Sequence, residues 1–262
     1  MTVIFKAKTQ EGYTIKILAE LLQNIIKTAC LEVSDEGIRL CMMDTHRRVC
    51  IDINLCCTNF NIYALSSPKI LFLGINVNHM YKLLKSVKKK DALTMYIDDE
   101  TPDKLFLVVH PKENNRVSTS DIHIQEIQHV KIHLPTGFVD PIIIPSGEYQ
   151  RTLKDMCSIG GPLFIRMRKY SLVLACSASN IYSREVLFGE LNDETPEVYN
   201  EEFFMEQFTR IIKISGFGKS LKIYKGPTPD IPILIESCVG QLGIIKIFIK
   251  SKNQIRMDNV AE

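Results

Sequence analysis

Hydrophobic and polar positions alternate by two over much of the chain and by three or four in a few short stretches. Val3 to Lys8 alternates as a strand, and Gly12 marks a turn. Tyr13 to Thr28 reads as a helix, with Ile15, Leu18, Leu22 and Ile25 on one face and Lys16, Glu20, Gln23 and Lys27 on the other. Strand-like runs follow: LEVS, GIRLCMMD, RVCIDINL, NFNIYAL and KILFLGI. His79 to Lys90 is a second helical stretch, with Met80, Leu83, Leu84 and Val87 inward, and Asn76 or Asn78 is placed to cap it. Its outer positions carry Lys82, Lys85, Lys88, Lys89 and Lys90, with no acidic residue among them. ALTMYID and KLFLVVH then read as strands around the turn cluster DDETPD.

KENNRVSTS reads as a loop. DIHIQEIQHVKIHLP after it fits either an ordinary hairpin strand or an extended connector; its length and midpoint position favour the connector. The second half repeats the plan. FVDPIIIP is a strand, Ser146 to about Ile159 a helix, LFIRMR, SLVLACSAS and IYSREVLFGE strands, and NDETPEVYNE a polar loop. Phe203 to Ile214 reads as a fourth helix, and SLKIYK, PILIES and IIKIFIK close the chain's last sheet. Lys82-Leu-Leu-Lys85 returns as Arg210-Ile-Ile-Lys213, 128 residues later, and the glycines opening the first helix of each half, Gly12 and Gly147, lie 135 apart. Strand, helix, several strands, helix, strands, twice at near-constant offset, argues for a duplicated domain. The expected division is 1–118, a connector at 119–136, and 137–262.

Composition sharpens this. At 262 residues with 45% hydrophobic content the chain can bury one large core or two ordinary ones. The net charge of +2 excludes a uniformly basic nucleic-acid binder, so any such role depends on how charge is distributed. The four helical stretches hold 11 Lys/Arg against 4 Asp/Glu, leaving the remainder at −5. Basic charge is therefore gathered onto helices, which suits a helical layer facing a polyanion. There is no signal-peptide-like start and no apolar run of membrane-spanning length, so a soluble, intracellular protein is expected. The eight cysteines include no C-x-x-C pair and sit mostly in apolar runs, so they read as reduced structural thiols. The six histidines lack metal-site spacing on a helix. Gly216-Phe-Gly-Lys-Ser220 resembles the end of a phosphate loop, but Lys213 stands where its first glycine belongs and the run follows a helix. There is no nucleophile elbow. Neither an enzyme nor a cofactor is expected.

LGINVNHMYKLLK, GIRLCMMD, IPSGEYQRTLKDMCSIG, TPDIPILIES and GIIKIFIK, taken as a set, resemble segments of the eukaryotic-type DNA sliding clamp family, proliferating cell nuclear antigen. The resemblance covers about Val3 to Lys252 and implies an α+β chain of two tandem β-rich clamp domains. Each would carry two short helices on the inner face of its sheets, and the chain would assemble, as a homotrimer, into a closed ring around double-stranded DNA. The implied function is a polymerase processivity factor for replication and repair, loaded by a clamp loader, in the nucleus or wherever the replicated DNA resides. A subunit of a heterotrimeric checkpoint-type clamp and a monomeric processivity factor are same-fold alternatives.

On that resemblance, Lys16, Lys27, Lys82, Lys85, Lys88, Lys89, Arg151, Lys154, Arg210 and Lys213 are expected to face DNA. Gln23 and Ser158 stand where relatives often carry a basic residue. A hydrophobic groove under the connector is expected to take a short partner helix through Met43, Thr45, Arg48, Ile132, Leu134, Pro135, Pro232 and Phe248. Arg48 replaces a valine-like wall there, and Lys250–Ser251 replaces the family's Ala-Pro. The subunit joint is expected to pair an edge strand near Arg116–Ile124 with one near Ile181–Phe188; Ser120 stands where a tyrosine is common.

Overall fold

In the computed structural model of the chain, residues 3–66, 69–113, 116–178, 181–190 and 199–261 are described. The expected polar loop NDETPEVYNE falls mostly outside them. The chain divides into two compact units. The first comprises Met1–Met42, Ile51–Ile132 and Cys238–Ile245; the second comprises Met43–Cys50, His133–Ser237 and Lys246–Glu262.

Apart from Met43, Val49 and Cys50, which count with the second, the first unit opens with β1 (Val3–Thr9), α1 (Gly12–Leu22), β2 (Thr28–Val33), β3 (Gly37–Met43), β4 (Val49–Cys56), β5 (Ile62–Leu65) and β6 (Leu71–Asn76). α2 (Val77–Leu84), β7 (Ala92–Asp98), β8 (Lys104–His110) and β9 (Ser118–His123) complete it. One sheet runs β5-β1-β7-β8-β9, so β9 is an edge strand; another orders β4-β3-β2-β6. Alternation explains the strands: on β8, Leu105, Leu107 and Val109 are buried while the residues between them are partly exposed. α1 and α2 pack side by side. Ile15, Leu18, Leu22 and Leu84 from these helices join Phe5, Leu93 and Ile97 from the strands as core residues. The start of α1 runs so close to the chain before β7 that a Cβ on Gly12 would stand 2.6 Å from the Asp91 carbonyl oxygen.

Asn76 caps α2 by accepting the His79 N–H at 3.1 Å. The helix stops at Leu84, short of the expected Lys90. Val87 turns inward, 1% exposed, its N–H bonded to the Leu84 carbonyl. The Asp91 carboxylate accepts the Lys88 N–H at 2.9 Å, and the Asp91 N–H donates to the Lys88 carbonyl. With β7 beginning at Ala92, Lys88, Lys89 and Lys90 lie on a tight turn beyond the helix. α1 likewise ends at Leu22, leaving Lys27 just before β2.

The second unit contains β10 (Ile142–Pro145), α3 (Ser146–Ile159), β11 (Leu163–Met167), β12 (Ser171–Ala178), β13 (Tyr182–Gly189) and β14 (Tyr199–Phe203). α4 (Met205–Arg210), β15 (Ser220–Tyr224), β16 (Ile233–Val239), β17 (Gly243–Ile249) and α5 (Lys252–Ala261) follow, Cys238 and Val239 of β16 and Gly243–Ile245 of β17 counting with the first unit. One sheet is ordered β13-β12-β11-β14, so β13 is an edge; β10-β15-β16-β17 run together in another. Tyr149, Leu153 and Met156 from α3 are fully buried, as are Phe203 and Phe208. The expected fourth helix over Phe203–Ile214 is broken. Phe203 pairs with Leu163 in the sheet, α4 covers only Met205–Arg210, and Ile212–Gly216 winds as a 3-10 turn. Ile211, Ile214 and Phe217 are the buried residues of that stretch, and a spacing of three is served by three residues per turn.

Candidate functional site

The cationic side chains fall into two groups, one per unit. In the first, Lys82 lies in the last turn of α2 and Lys85 at its C-cap, where cations favour the helix dipole. Both are exposed, and so are Lys88 and Lys89 on the turn that follows and Lys27 beyond α1. Lys16 is only partly exposed. Its ammonium donates to the Val87 carbonyl at 3.2 Å and stands 5.2 Å from the Tyr13 ring, clamping α1 to the turn after α2.

In the second unit Arg151 and Lys154 are exposed on successive turns of α3, and Arg151 pairs with Glu148 at 3.3 Å. α3 packs against α4 and the 3-10 turn, which carry Arg210 and Lys213, both partly buried. Arg210 has a structural partner the sequence did not disclose. Its guanidinium reaches the Asp44 carboxylate at 3.5 Å and Glu206 at 3.4 Å. The Asp44 side chain is 1% exposed and also accepts the N–H groups of Arg48 at 2.7 Å and Val49 at 3.0 Å. Arg210 thus balances a buried charge, and that is a separate task from meeting a polyanion.

Of the expected groove residues, Met43, Thr45, Arg48, Leu134, Pro135, Pro232 and Phe248 belong to the second unit, and Ile132 is the last residue of the Ile51–Ile132 segment of the first. Met43 is 37% exposed and Thr45 is exposed. Ile132, Leu134, Pro135 and Pro232 are half-buried. Phe248 is only 4% exposed; Phe138 packs over it at 5.8 Å and also meets Tyr224 at 6.2 Å. Phe248 is therefore floor beneath an aromatic cover. Arg48 lies over the Phe204 ring at 5.0 Å, and Lys252 over the same ring at 4.9 Å. Sequence reasoning missed Phe138 and Phe204, which sit just outside the segments carrying the resemblance to this groove.

The early connector is fastened to the first unit. Ile124 donates to the Asp103 carbonyl at 2.7 Å and Gln125 to the Gly74 carbonyl at 2.8 Å. A Cβ on Gly74 would come within 2.2 Å of the Gln125 carbonyl oxygen, so the crossing requires glycine. Further on, the His129 ring packs at a tilt against Phe72, centroids 4.7 Å apart, and reaches the Glu32 carboxylate at 2.8 Å. Among the described residues no cluster of three metal-ligating side chains occurs, and no helix is long and apolar enough to cross a membrane.

Residues 4–132 match the family model for the N-terminal domain of proliferating cell nuclear antigen. The proliferating cell nuclear antigen of Chaetomium thermophilum is 22% identical, covering 95% of this chain and 98% of the relative. A probable DNA polymerase sliding clamp of Paramecium bursaria Chlorella virus 1 is 25% identical, over 94% of this chain and 96% of the relative.

Proposed function

We propose, for a chain that is a diverged member of the proliferating cell nuclear antigen family, that the protein is a DNA sliding clamp, a polymerase processivity factor that encircles duplex DNA. The carrying observation is the split character of α2. Val77 and Leu84 are buried while Lys82 is exposed on its far side and Lys85 at its C-cap, with Lys88 and Lys89 just beyond. Ammonium groups held on a rigid helix attract phosphates without reading base edges, so the contact is sequence-independent, weakened by salt and able to move along the duplex. Three subunits closing as a ring would retain the duplex topologically, so no single contact needs to be tight. The free edges of β9 and β13 support such a joint, because each leaves one side unpaired among the described residues.

The protein acts as a scaffold without catalysis of its own, in whichever compartment holds the replicated DNA. Its partners are a clamp loader, the polymerase and repair proteins, the last two docking a short helical motif on the groove around Met43, Leu134, Pro135 and Pro232. Arg48 beside that groove favours partners with an acidic flank. The test is retention on nicked circular DNA after loading. Wild type stays on circles and runs off linear ends, whereas Lys82→Glu/Lys85→Glu loads or persists at least tenfold less with its fold intact. Equal retention of the two proteins would remove this reading.

A further inference from the structure

Cys56, the last residue of β4, and Cys57, the first of a 3-10 turn over Cys57–Asn59, are neighbours in the chain and both half-buried. Their backbone is pinned at a corner of the first unit. The Cys56 N–H donates to the Leu242 carbonyl at 3.0 Å and the Cys57 N–H to the Glu36 carbonyl at 2.9 Å. Asn59 Nδ2 also donates to the Leu242 carbonyl, at 3.2 Å, and the Tyr63 hydroxyl donates to the Ser34 carbonyl at 2.6 Å. A Cβ on Gly37 would stand 2.9 Å from the Cys57 nitrogen, so the turn around Glu36 lies directly against the pair. Cys56 Sγ is 3.0 Å from the Thr58 hydroxyl oxygen. That hydroxyl, first, and the Thr58 N–H hold the Cys56 thiol below its ordinary range, and the Cys57 side chain adds to this; partial burial and the Glu36 carboxylate work against them. Burial pushes Cys30 and Cys176 the other way.

We propose that Cys56 and Cys57 form a reversible oxidation site for hydrogen peroxide, Cys56 being the sulfur attacked and Cys57 the one that resolves it. The Cys56 thiolate attacks one peroxide oxygen and the O–O bond breaks. The sulfur, oxidised by two electrons, becomes a sulfenic acid, and the departing hydroxide takes up a proton to leave as water. The Cys57 sulfur then displaces the hydroxyl from Cys56, which leaves as a second water with the Cys57 proton, and an S–S bond forms. This chemistry requires neither DNA nor assembly. Neighbouring Cα atoms across a trans peptide are about 3.8 Å apart, below the roughly 4.4 Å at which ordinary disulfides begin, so closure twists the peptide between the two cysteines. A bond strained in this way is readily reduced, so a dithiol returns two electrons and reopens it. The twisted peptide carries the Cys57 N–H, and closure therefore breaks its bond to Glu36 and loosens the corner.

The test is to reduce the full chain, expose it to sub-stoichiometric hydrogen peroxide, quench with N-ethylmaleimide and map the cysteines by peptide mass spectrometry. In wild type the peptide holding both residues loses the mass of two hydrogens before Cys41, Cys157 or Cys238 is modified, and dithiothreitol restores it. Amide exchange at Cys57 is faster in the oxidised form and returns on reduction. Cys57→Ser stops at the sulfenic acid, which dimedone traps on Cys56. Thr58→Val slows oxidation of Cys56 about threefold, because the more basic thiolate is the better nucleophile and recovers part of the loss; Thr58→Ser, which keeps the hydroxyl, restores the rate. Circular dichroism checks that the variants are folded, and the wild-type map stands by itself if one is not. Oxidation of Cys157 or Cys238 ahead of the pair overturns the site. An intermolecular disulfide, or a sulfinic acid on Cys56 with Cys57 still alkylated, overturns the pairing. Equal rates in Thr58→Ser and Thr58→Val overturn the part given to the hydroxyl.

Discussion

Individual side chains split the groove into parts that can be tested cleanly and parts that cannot. Phe248 is 4% exposed under Phe138, so Phe248→Ala opens a cavity and costs about 3–5 kcal/mol of unfolding free energy. Failed peptide binding in that variant would report unfolding rather than docking. Leu134 is half-buried, and Leu134→Ala is expected to weaken a helical clamp-binding peptide about tenfold, or ~1.4 kcal/mol, with a denaturation midpoint close to wild type. Peptide titration beside denaturant unfolding checks the pair. Asp98 gives a pH dependence of known sign. Its Oδ1 accepts the Thr101 hydroxyl at 2.7 Å and the Thr101 N–H at 2.8 Å, and these bonds, the hydroxyl first, hold its carboxyl below the usual carboxylate range. A depressed folded-state pKa contributes stability that is present above the unfolded-state value and lost as pH falls through the folded one. Thr101→Val should therefore lower stability at neutral pH and converge with wild type in strong acid, as read by unfolding at several pH values. A difference that grows in acid would contradict the assignment.

Among the elements, α1 and α3 were legible because each repeats its apolar face over several turns, the condition under which periodicity outweighs noise. Most strands were legible by alternation, but β14 (Tyr199–Phe203) was divided between the expected polar loop and the expected fourth helix. The fourth helix was misjudged because Phe203, the first residue of the expected span, belongs to the sheet edge, and because Ile211, Ile214 and Phe217 follow a three-residue spacing. The lysine run past Leu84 reads as helix in the sequence because its charges hide the inward turn at Val87 and the small cap made by Asp91. Of the proposed site, only the exposure of Lys82, Lys85, Arg151 and Lys154 was readable. The engagement of Arg210 with Asp44, 166 residues apart in sequence, was not, because no local pattern encodes so distant a pair. α5 was missed although its start carries a capping box. Ser251 accepts the Gln254 N–H at 3.2 Å, and Gln254 Oε1 accepts the Ser251 N–H at 2.9 Å. Gln254 also donates to the Pro229 and Ile231 carbonyls at 2.7 and 2.8 Å, so the cap fastens the loop before β16. α5 packs on β14, with Lys252 bonded to Glu202 at 2.6 Å, and thereby covers one edge of that sheet. Ser251→Ala should cost about 1 kcal/mol and speed amide exchange in both α5 and the Pro229–Ile231 loop. Faster exchange in the helix alone would mean that Gln254 holds the loop without help from the cap.

For the whole molecule the decisive question is assembly, and two edges bear on it. β9 offers a short polar edge: Ser118 and Thr119 are exposed, and only Ile122 of its six residues is buried. β13 is longer and more apolar at its surface, with Tyr182 53% and Leu187 39% exposed and Ile181, just before it, 80% exposed. Exposed apolar positions on an unprotected edge are an aggregation liability unless another strand covers them. Unlike edges on one chain favour head-to-tail pairing, the contact type that closes rings when the rotation per subunit divides a full turn. Ser120, half-buried on β9, has no ring with which to add aromatic area to such a joint, so the assembly is expected to dissociate on dilution more readily than one sealed by a tyrosine. Leu187→Lys places a charge at the centre of the proposed joint while leaving β12–β13 pairing untouched. Light scattering should then find one chain mass where the wild type is expected to give three, with unchanged far-ultraviolet circular dichroism. If β9 and β13 form the joint, the same variant should still bind short duplex at low salt, because its lysines remain in place, yet slip from circular DNA, because retention depends on closure. A trimer that survives the substitution would move the joint to another surface. A monomeric wild type would make the lysine helices a simple electrostatic docking face and replace topological retention with salt-sensitive binding throughout.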